Sequence, residues 1–230
     1  LRTLVQSHPA YGFAKRFHLI RNFGHRWNPK RIHRIYCALR LNLRKKGKKQ
    51  IPNRPPQPLT VPFNQNICWS MDFMSDVLSN GKRFRTFNVI GDYHREILAI
   101  EIDLSWPTQR IIRVLDRLIE YRGCSRIHMD NGPEFISVNL ATWAEKQNIC
   151  LTYIQPGRPM QNGYIEQFNR SYRSEVLDRY LFRTLDEVGN LTANWMVEYN
   201  EIWPHESLGN LAPKQFLQLN QGYVSNFNCY

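Results

Sequence analysis

From residue 67 onward, the chain follows an order of strand and helix patterns that few folds can accommodate. Residues 67–77 alternate between apolar and polar side chains, as a half-buried strand does, and two more strand patterns follow. Strands and helices then alternate along the chain. Three hairpin-joined strands followed by alternating elements predict a mixed five-stranded sheet flanked by helices. After the first strand, the predicted strands are 84–92, 95–103, 125–129 and 149–154, and the helices are 107–122, 137–148 and 162–180.

The segment before this pattern has a different character. Residues 8–24 and 28–44 show helical spacing, with Asn28 as a cap and Pro29 in the first turn of the second helix. Two short helices predict a helix-turn-helix-like unit that either contacts DNA or packs on the main domain. That second helix has an apolar stripe of Ile32, Ile35, Tyr36 and Leu39, and an outward basic set of Lys30, Arg31, Arg34 and Arg40.

Proline and lysine separate the two parts of the chain. Such a segment favours extended backbone and does not form a core. The predicted organisation is therefore a basic helical segment at 1–46, a linker at 47–62, and an α/β domain with C-terminal helices at 63–221.

The positive charge of the chain is concentrated at its beginning. The net charge is +12, yet no Asp or Glu precedes Asp72, whereas 15 Lys and Arg do. A one-signed basic segment of this size predicts a polyanionic partner, with DNA as the first candidate. A solvated basic tail, or a surface for RNA or anionic lipid, is the alternative. Helix-spaced apolar residues among the basic ones favour DNA.

The cysteines and the hydropathy pattern restrict the class of protein further. None of the five cysteines forms a C-x-x-C pair, which argues against a zinc site and a disulfide framework and favours a reducing cytosol. No apolar run approaches the roughly 20 residues that span a membrane. The first residue is Leu, as expected of a fragment or of the downstream part of a longer product.

Three acidic residues lie where chemistry is expected. Asp72 is on the first strand, Asp130 directly follows the fourth, and Glu166 lies one turn into the long helix, with 35 residues between it and Asp130. Carboxylates from such elements can converge on a pair of hard divalent cations, which promote in-line displacement at phosphorus. Separately, each acid has an ordinary alternative: an edge residue, a turn, or a helix ion pair of Glu166 with Arg170.

The helix of Glu166 carries further candidates. The face of Glu166 is shared by Asn162, Asn169, Arg170 and Arg173. Amide and guanidinium groups on one face can donate hydrogen bonds to the phosphates of a DNA backbone. Two other acids are not predicted to be ligands: Asp92 is expected in a hairpin, and Glu134 is expected to cap a helix or to contact the backbone. The predicted DNA contacts are Asn162, Asn169, Arg170 and Arg173 in this helix, with Lys30, Arg31 and Arg34 upstream.

The motifs that hold these acids resemble a known family. Three stretches resemble the catalytic core of insertion-sequence transposases of the two-reading-frame type: WSMDF, MDNGPEF and QPGRPMQNGYIEQFNRSYRSEVL. The cores of those transposases resemble retroviral integrases. The segments on either side of that core also have counterparts here. They are HPAYGFAKRF and NPKRIHRIYCALRL upstream and WMVEYNEIWPHESLGNLAPKQFL downstream. The resemblance covers nearly the whole chain.

The resemblance carries expectations about the site. It implies an RNase H-like core in which Asp72, Asp130 and Glu166 hold two Mg²⁺ ions, with Mn²⁺ as an expected substitute. It also implies a basic residue two helical turns after the Glu, here Arg173. In the family, a separate upstream frame supplies sequence-specific recognition of the element ends, so an upstream-frame protein is an expected partner.

The predicted function is metal-dependent DNA cleavage followed by strand transfer, with element ends and target DNA as substrates. A homo-oligomer on DNA and a bacterial, nucleoid-associated cytoplasmic location are expected. Two alternatives remain at this point. One is an RNase H-type nuclease, which would favour a fourth carboxylate, and the other is a catalytically silent DNA-binding protein derived from a transposase.

Overall fold

The computed structural model describes residues 1–43, 61–155 and 162–224, with side chains up to residue 220. The predicted linker at 47–62 lies outside the described residues except for its last two, as does the loop expected at 156–161. The chain divides into two compact units, Leu1–Gln57 with Glu201–Tyr230, and Pro58–Asn200. The sequence places the C-terminal helices in the core domain, whereas this division groups the chain after Asn200 with the first helices.

Short helices build the first unit. They are α1 (Arg2–Ser7), α2 (Phe13–Asn22), α3 (Pro29–Ala38) and α8 (Pro213–Val224), and a 3-10 turn at Glu206–Leu208 precedes α8. Helix α1 is not predicted, and α2 begins five residues later than the predicted start at residue 8. Pro9 and Gly12 explain the later start, since neither favours the interior of a helix.

A buried arginine organises the first unit together with a small apolar cluster. Arg16 is 1% exposed, and it donates to the Tyr36 hydroxyl at 2.6 Å and to the carbonyls of His8 and Pro9. As predicted, the Asn28 side chain caps α3 by accepting from the backbone N–H of Lys30. Ile35 is exposed, so the apolar stripe of α3 is narrower than predicted. The apolar cluster consists of Phe17, Ile20 and Ile32.

A five-stranded mixed sheet forms the second unit, as the sequence predicts. Its strands are β1 (Cys68–Val77), β2 (Arg83–Gly91), β3 (Ile97–Asp103), β4 (Arg126–Met129) and β5 (Cys150–Tyr153). Their order is β3-β2-β1-β4-β5, so β1 is central. It pairs antiparallel with β2 and parallel with β4.

Helices cover the sheet. They are α4 (Thr108–Arg122), α5 (Val138–Lys146), α6 (Gly163–Tyr172) and α7 (Leu185–Glu201), and a π-helical turn at Arg173–Leu177 extends α6. Gly123 ends α4 with a φ of 68°, which suits glycine. The Asn200 side chain exchanges two hydrogen bonds with the backbone of Ile97, which fixes α7 to β3.

The two faces of the sheet differ in chemistry. Trp69 and Met71 of β1 point into an apolar core that includes residues of α4 and α5. The opposite face carries the buried polar residues Ser70 and Asn88 together with Asp72, and α6 packs over β1 and β2. Because side chains alternate along a strand, this polar face follows from the pattern of residues 67–77. Within the described residues, no helix combines the length and the apolar character that crossing a bilayer requires.

Candidate active site

The three predicted acids come together at one edge of the polar face. Asp72 lies in β1, Asp130 directly follows β4, and Glu166 is in the first turn of α6. Ser70 pairs with His128 across the parallel strands, and this register, carried two residues further, brings Asp72 level with Asp130. The charges of Asp130 and Glu166 both act on the Asp72 carboxyl.

The crowding of negative charge changes the pKa of Asp72. Burial first, and then the charges of Asp130 and Glu166, raise this pKa from 3.8 to about 6, against two hydrogen bonds that lower it. Three converging carboxylates favour a cation among them. Their all-oxygen donor set fits Mg²⁺, which prefers hard oxygen ligands. That these residues are metal ligands stays a prediction.

A chain of side-chain hydrogen bonds holds the Asp72 carboxylate in place. Its Oδ1 accepts from the backbone N–H of Phe73 at 2.8 Å, and its Oδ2 accepts from the Asn169 amide at 2.7 Å. The Asn169 oxygen in turn accepts from the buried Asn88 amide at 2.8 Å. The sequence predicts a DNA contact for Asn169, but both ends of its amide are used within the protein. The strand register could have indicated Asn88, which lies directly opposite Asp72.

The Asp130 carboxylate is fixed by the loop that follows it. The backbone N–H of Gly132 donates to its Oδ1 at 3.0 Å, and the Asn131 side chain donates to the Ile154 carbonyl at 2.9 Å. A Cβ at residue 132 would lie 3.0 Å from this Oδ1 and 3.3 Å from an oxygen of Glu134. Glycine therefore permits the close approach of the backbone to two carboxylates at this point.

Glu134 meets one of its two predicted roles and has a further partner. Its carboxylate accepts a hydrogen bond from its own backbone N–H and forms an ion pair with Arg85 of β2, whereas α5 is capped by the Ser137 hydroxyl. The guanidinium of Arg85 also lies 4.2 Å from the ring centre of Phe73, next to Asp72 in the chain. The missed partner comes from a strand 49 residues earlier in the chain, which local spacing does not indicate.

The predicted DNA contacts in α6 have different surroundings. Arg170 is exposed, in agreement with a surface role. Asn162 is 3% exposed, which does not agree with the predicted contact. Arg173 donates to Asp76 at 2.9 Å and to the Ser75 carbonyl at 2.7 Å, so its guanidinium already has partners within the protein. Its contact with DNA stays a prediction.

The predicted contacts in the first unit are all on the surface of α3. Lys30, Arg31 and Arg34 are exposed. Lys30 and Arg34 also line a shallow, open surface pocket of about 530 Å³. The other lining residues are Phe13, Pro29, His33 and Cys37. Basic groups beside aromatic rings suit a sugar-phosphate chain.

Comparison with known proteins identifies the family. Residues 64–159 and 147–213 match two models that are both described as an integrase core domain. The chain is 36% identical over 214 residues to the uncharacterized 31.7 kDa protein of insertion element IS407 of Burkholderia multivorans. This alignment covers 93% of this chain and 77% of that protein. The chain belongs to the family of insertion-sequence transposases with an integrase-like core.

Other relatives of the family agree with this assignment. The chain is also 36% identical over 214 residues to the uncharacterized 39.2 kDa protein of insertion element IS476 of Xanthomonas euvesicatoria. That match covers 93% of this chain but 62% of the relative, so the chain spans less than two thirds of its length.

The fold agrees with a solved retroviral structure. The HTLV-2 integrase catalytic core domain, solved in complex with magnesium in a dimeric form, aligns with a TM-score of 0.53 at 16% identity. The alignment covers 67% of this chain and 97% of that one. The predicted RNase H-like architecture is therefore confirmed.

Proposed function

We propose that this member of the family is an active transposase, which cleaves DNA at the ends of an insertion sequence and joins the exposed 3′-OH to target DNA. The observation that carries the proposal is the convergence of Asp72, Asp130 and Glu166 on the polar face of the sheet. Carboxylates at such an edge suit in-line phosphoryl transfer, which requires no protein nucleophile.

Asp72, Asp130 and Glu166 are the residues that would hold divalent cations. When bound there, Mg²⁺ supplies Lewis-acid stabilisation of charge on the oxygens around the reacting phosphorus. The protein supplies the positions: Asn169 and the Phe73 N–H orient the Asp72 carboxylate, and the Gly132 N–H orients that of Asp130. Such preorganisation reduces the reorganisation that the reaction would otherwise require.

DNA is the proposed partner of the basic residues. The exposed Lys30, Arg31 and Arg34 of α3 would bind phosphates, with Arg170 and Arg173 nearer the acids in the chain. A homo-oligomer on DNA is also proposed, with support from the dimeric form named for the HTLV-2 integrase core. The family resemblance adds an upstream-frame protein as a proposed partner for recognition of the element ends.

Strand transfer tests the proposal directly. The full chain, with duplexes that carry the ends of its insertion element, should join them to target DNA in Mg²⁺ or Mn²⁺ and not in a chelator. Asp130→Asn and Glu166→Gln should each lower the rate at least about 1,000-fold, since each removes a ligand charge at nearly constant volume. The exposed Glu145→Gln on α5 is the matched control and should retain activity.

The same experiment distinguishes the alternatives. Cleavage of RNA in a hybrid without DNA joining would indicate an RNase H-type nuclease. DNA binding without cleavage in any divalent cation would indicate a silent DNA-binding protein. Either result would overturn the proposal if circular dichroism shows that the protein is folded. Full activity of Asp130→Asn would overturn it as well.

A further inference from the structure

A second group of metal-ligating side chains lies further back along the same strands. The donor atoms of Cys68, Asp92 and His128 all lie within 4.8 Å of one another. The His128 Nδ1 is 3.4 Å from the Cys68 Sγ and 3.4 Å from the Asp92 Oδ2. We refer to these three residues as the rear cluster. They come from β1, from the turn after β2, and from β4.

The rear cluster is separate from the three catalytic candidates. Along β1, Cys68 precedes Asp72 by four residues, which is about 13 Å at the usual rise of a strand. Ser70 lies between them and donates its hydroxyl to the Asp92 Oδ1 at 2.6 Å. The other carboxylate oxygen of Asp92, Oδ2, faces His128.

The scaffold around the rear cluster is fixed by backbone contacts. The Asp92 N–H donates to the Cys68 carbonyl at 3.0 Å, and the Arg95 guanidinium donates to the Asp92 carbonyl. Cys68 is 4% exposed and the Asp92 side chain is 2% exposed, whereas that of His128 is 28% exposed. The imidazole therefore offers a route from solvent to two buried ligands that already face it.

The two distances from His128 to the other members of the rear cluster suit one ion. Tetrahedral zinc has ligand bonds of about 2.0–2.3 Å, which place neighbouring donor atoms about 3.3–3.8 Å apart. Both contacts of His128, at 3.4 Å, fall in that range. A thiol, an imidazole and a carboxylate together suit zinc, whereas magnesium prefers an all-oxygen set.

We propose that Cys68, Asp92 and His128 bind one Zn²⁺ ion that ties β1 to β4 and to the turn after β2. The ion would secure the parallel pairing that brings Asp72 level with Asp130. The absence of a C-x-x-C pair speaks only against a zinc site whose ligands lie close together in the chain. Here the sheet brings together ligands that are up to 60 residues apart.

Cobalt substitution tests this site without any reference to DNA. The reduced, chelator-stripped full chain is titrated with Co²⁺. Excess Mg²⁺ is present to occupy the proposed site at Asp72, Asp130 and Glu166. We expect one equivalent of Co²⁺ with a thiolate-to-cobalt charge-transfer band, displaced by Zn²⁺. The exposed Cys150→Ser is the matched control and should keep the band.

Two variants decide the assignment. His128→Gln should weaken Co²⁺ binding at least about 100-fold and abolish the rise in Tm that Zn²⁺ gives the wild type. Cys68→Ser should remove the charge-transfer band. Absence of the band in the wild type, or a wild-type band in folded Cys68→Ser, would overturn the proposal.

Discussion

Asp72 is the residue on which the surroundings of the candidate active site act most strongly. It is half-buried, two other carboxylates act on it, and its oxygens receive one backbone and one amide hydrogen bond. Each of these hydrogen bonds stabilises the charged form, while burial and the neighbouring charges oppose it. The side chain is thus held as a carboxylate at neutral pH in a place that favours a cation beside it.

Asn169 is expected to act as a positioning residue. Asn169→Ala removes the donor to the Asp72 Oδ2 and leaves the buried Asn88 amide without its acceptor. We expect the free energy of unfolding to fall by about 1–2 kcal/mol, as for a buried hydrogen-bond partner. The Mg²⁺ concentration for half-maximal strand transfer should also rise several-fold. The exposed neighbour Gln167→Ala is the control. An unchanged Mg²⁺ requirement with lowered stability would make Asn169 purely structural.

Arg173 can be tested against its ion-pair partner. Both side chains of the Arg173–Asp76 pair are partly exposed, so Arg173→Ala should lower the free energy of unfolding by about 0.5–1 kcal/mol. Asp76→Asn removes the same ion pair but keeps the guanidinium. If Arg173 binds DNA, strand transfer falls at least about tenfold in Arg173→Ala and is retained in Asp76→Asn. Equal rates in the two variants would assign Arg173 to the ion pair alone.

Among the elements, β1 matters most for the site because it is central and pairs with both β2 and β4. Its partners place Asn88 opposite Asp72 on one side and the end of β4 on the other. The apolar residues of the same strand fix which way these polar groups face. A one-residue shift in register would turn Asp72 into the apolar core.

An ion-pair network around the buried Glu96 joins α4 to the turn before β3 and predicts a dependence of stability on pH. Glu96 accepts two bonds from Arg122 and one from His94. Burial alone would raise the pKa of Glu96, but these partners outweigh burial and lower it from 4.5 to about 2. The folded state therefore binds fewer protons, so this contribution is present above pH 4.5 and is lost as pH falls toward about 2.

Arg122→Gln tests the network. We expect it to lower the free energy of unfolding by about 2 kcal/mol at pH 7, and the difference from wild type should shrink as pH falls below 4.5. Urea unfolding at a series of pH values measures this. Arg117→Gln on the same helix is the control, because its pair with Glu101 is exposed and is worth less than about 1 kcal/mol. Equal losses at every pH in both variants would contradict the assignment.

Much of the second unit follows from local patterns, since five strands and three helices lie close to their predicted positions. The alternation of residues 67–77 also indicates the face on which Asp72 lies. The features that the sequence does not reveal involve partners far apart in the chain, such as Arg85 with Glu134. The π-helical turn at Arg173–Leu177 is another, because helical spacing cannot distinguish it from a continued α-helix.

For the whole molecule, the distribution of charge matches the division into two units. The first unit, Leu1–Gln57 with Glu201–Tyr230, carries 16 of the 31 Lys and Arg but only two of the 19 Asp and Glu. The second unit has a small net negative charge. Deleting the first helices would also disturb the C-terminal part of their unit, where Tyr11 and Lys15 contact the Trp203 ring. Charge neutralisation is therefore the cleaner test of DNA binding.

The triple variant Lys30→Gln, Arg31→Gln, Arg34→Gln is expected to weaken binding to duplexes of any sequence. If all three contact phosphates, the slope of log affinity against log salt should become shallower by about 2–3. The control removes three exposed charges of the second unit, Arg113→Gln, Arg117→Gln and Lys146→Gln, and should change the slope by less than about 1. Equal changes in both variants would mean that α3 is not the phosphate-binding surface.

The order of the strands has a consequence for synthesis of the chain on the ribosome. The hairpins of β1, β2 and β3 join neighbours in sequence, so they can form early, with Asp72 already beside Asn88. Asp130 takes its place only when β4 adds to the far side of β1, and Glu166 follows with α6. A nascent or prematurely terminated chain that ends before residue 166 therefore lacks the third carboxylate. Interrupted translation leaves products that can hold part of the sheet but not the complete group of acids.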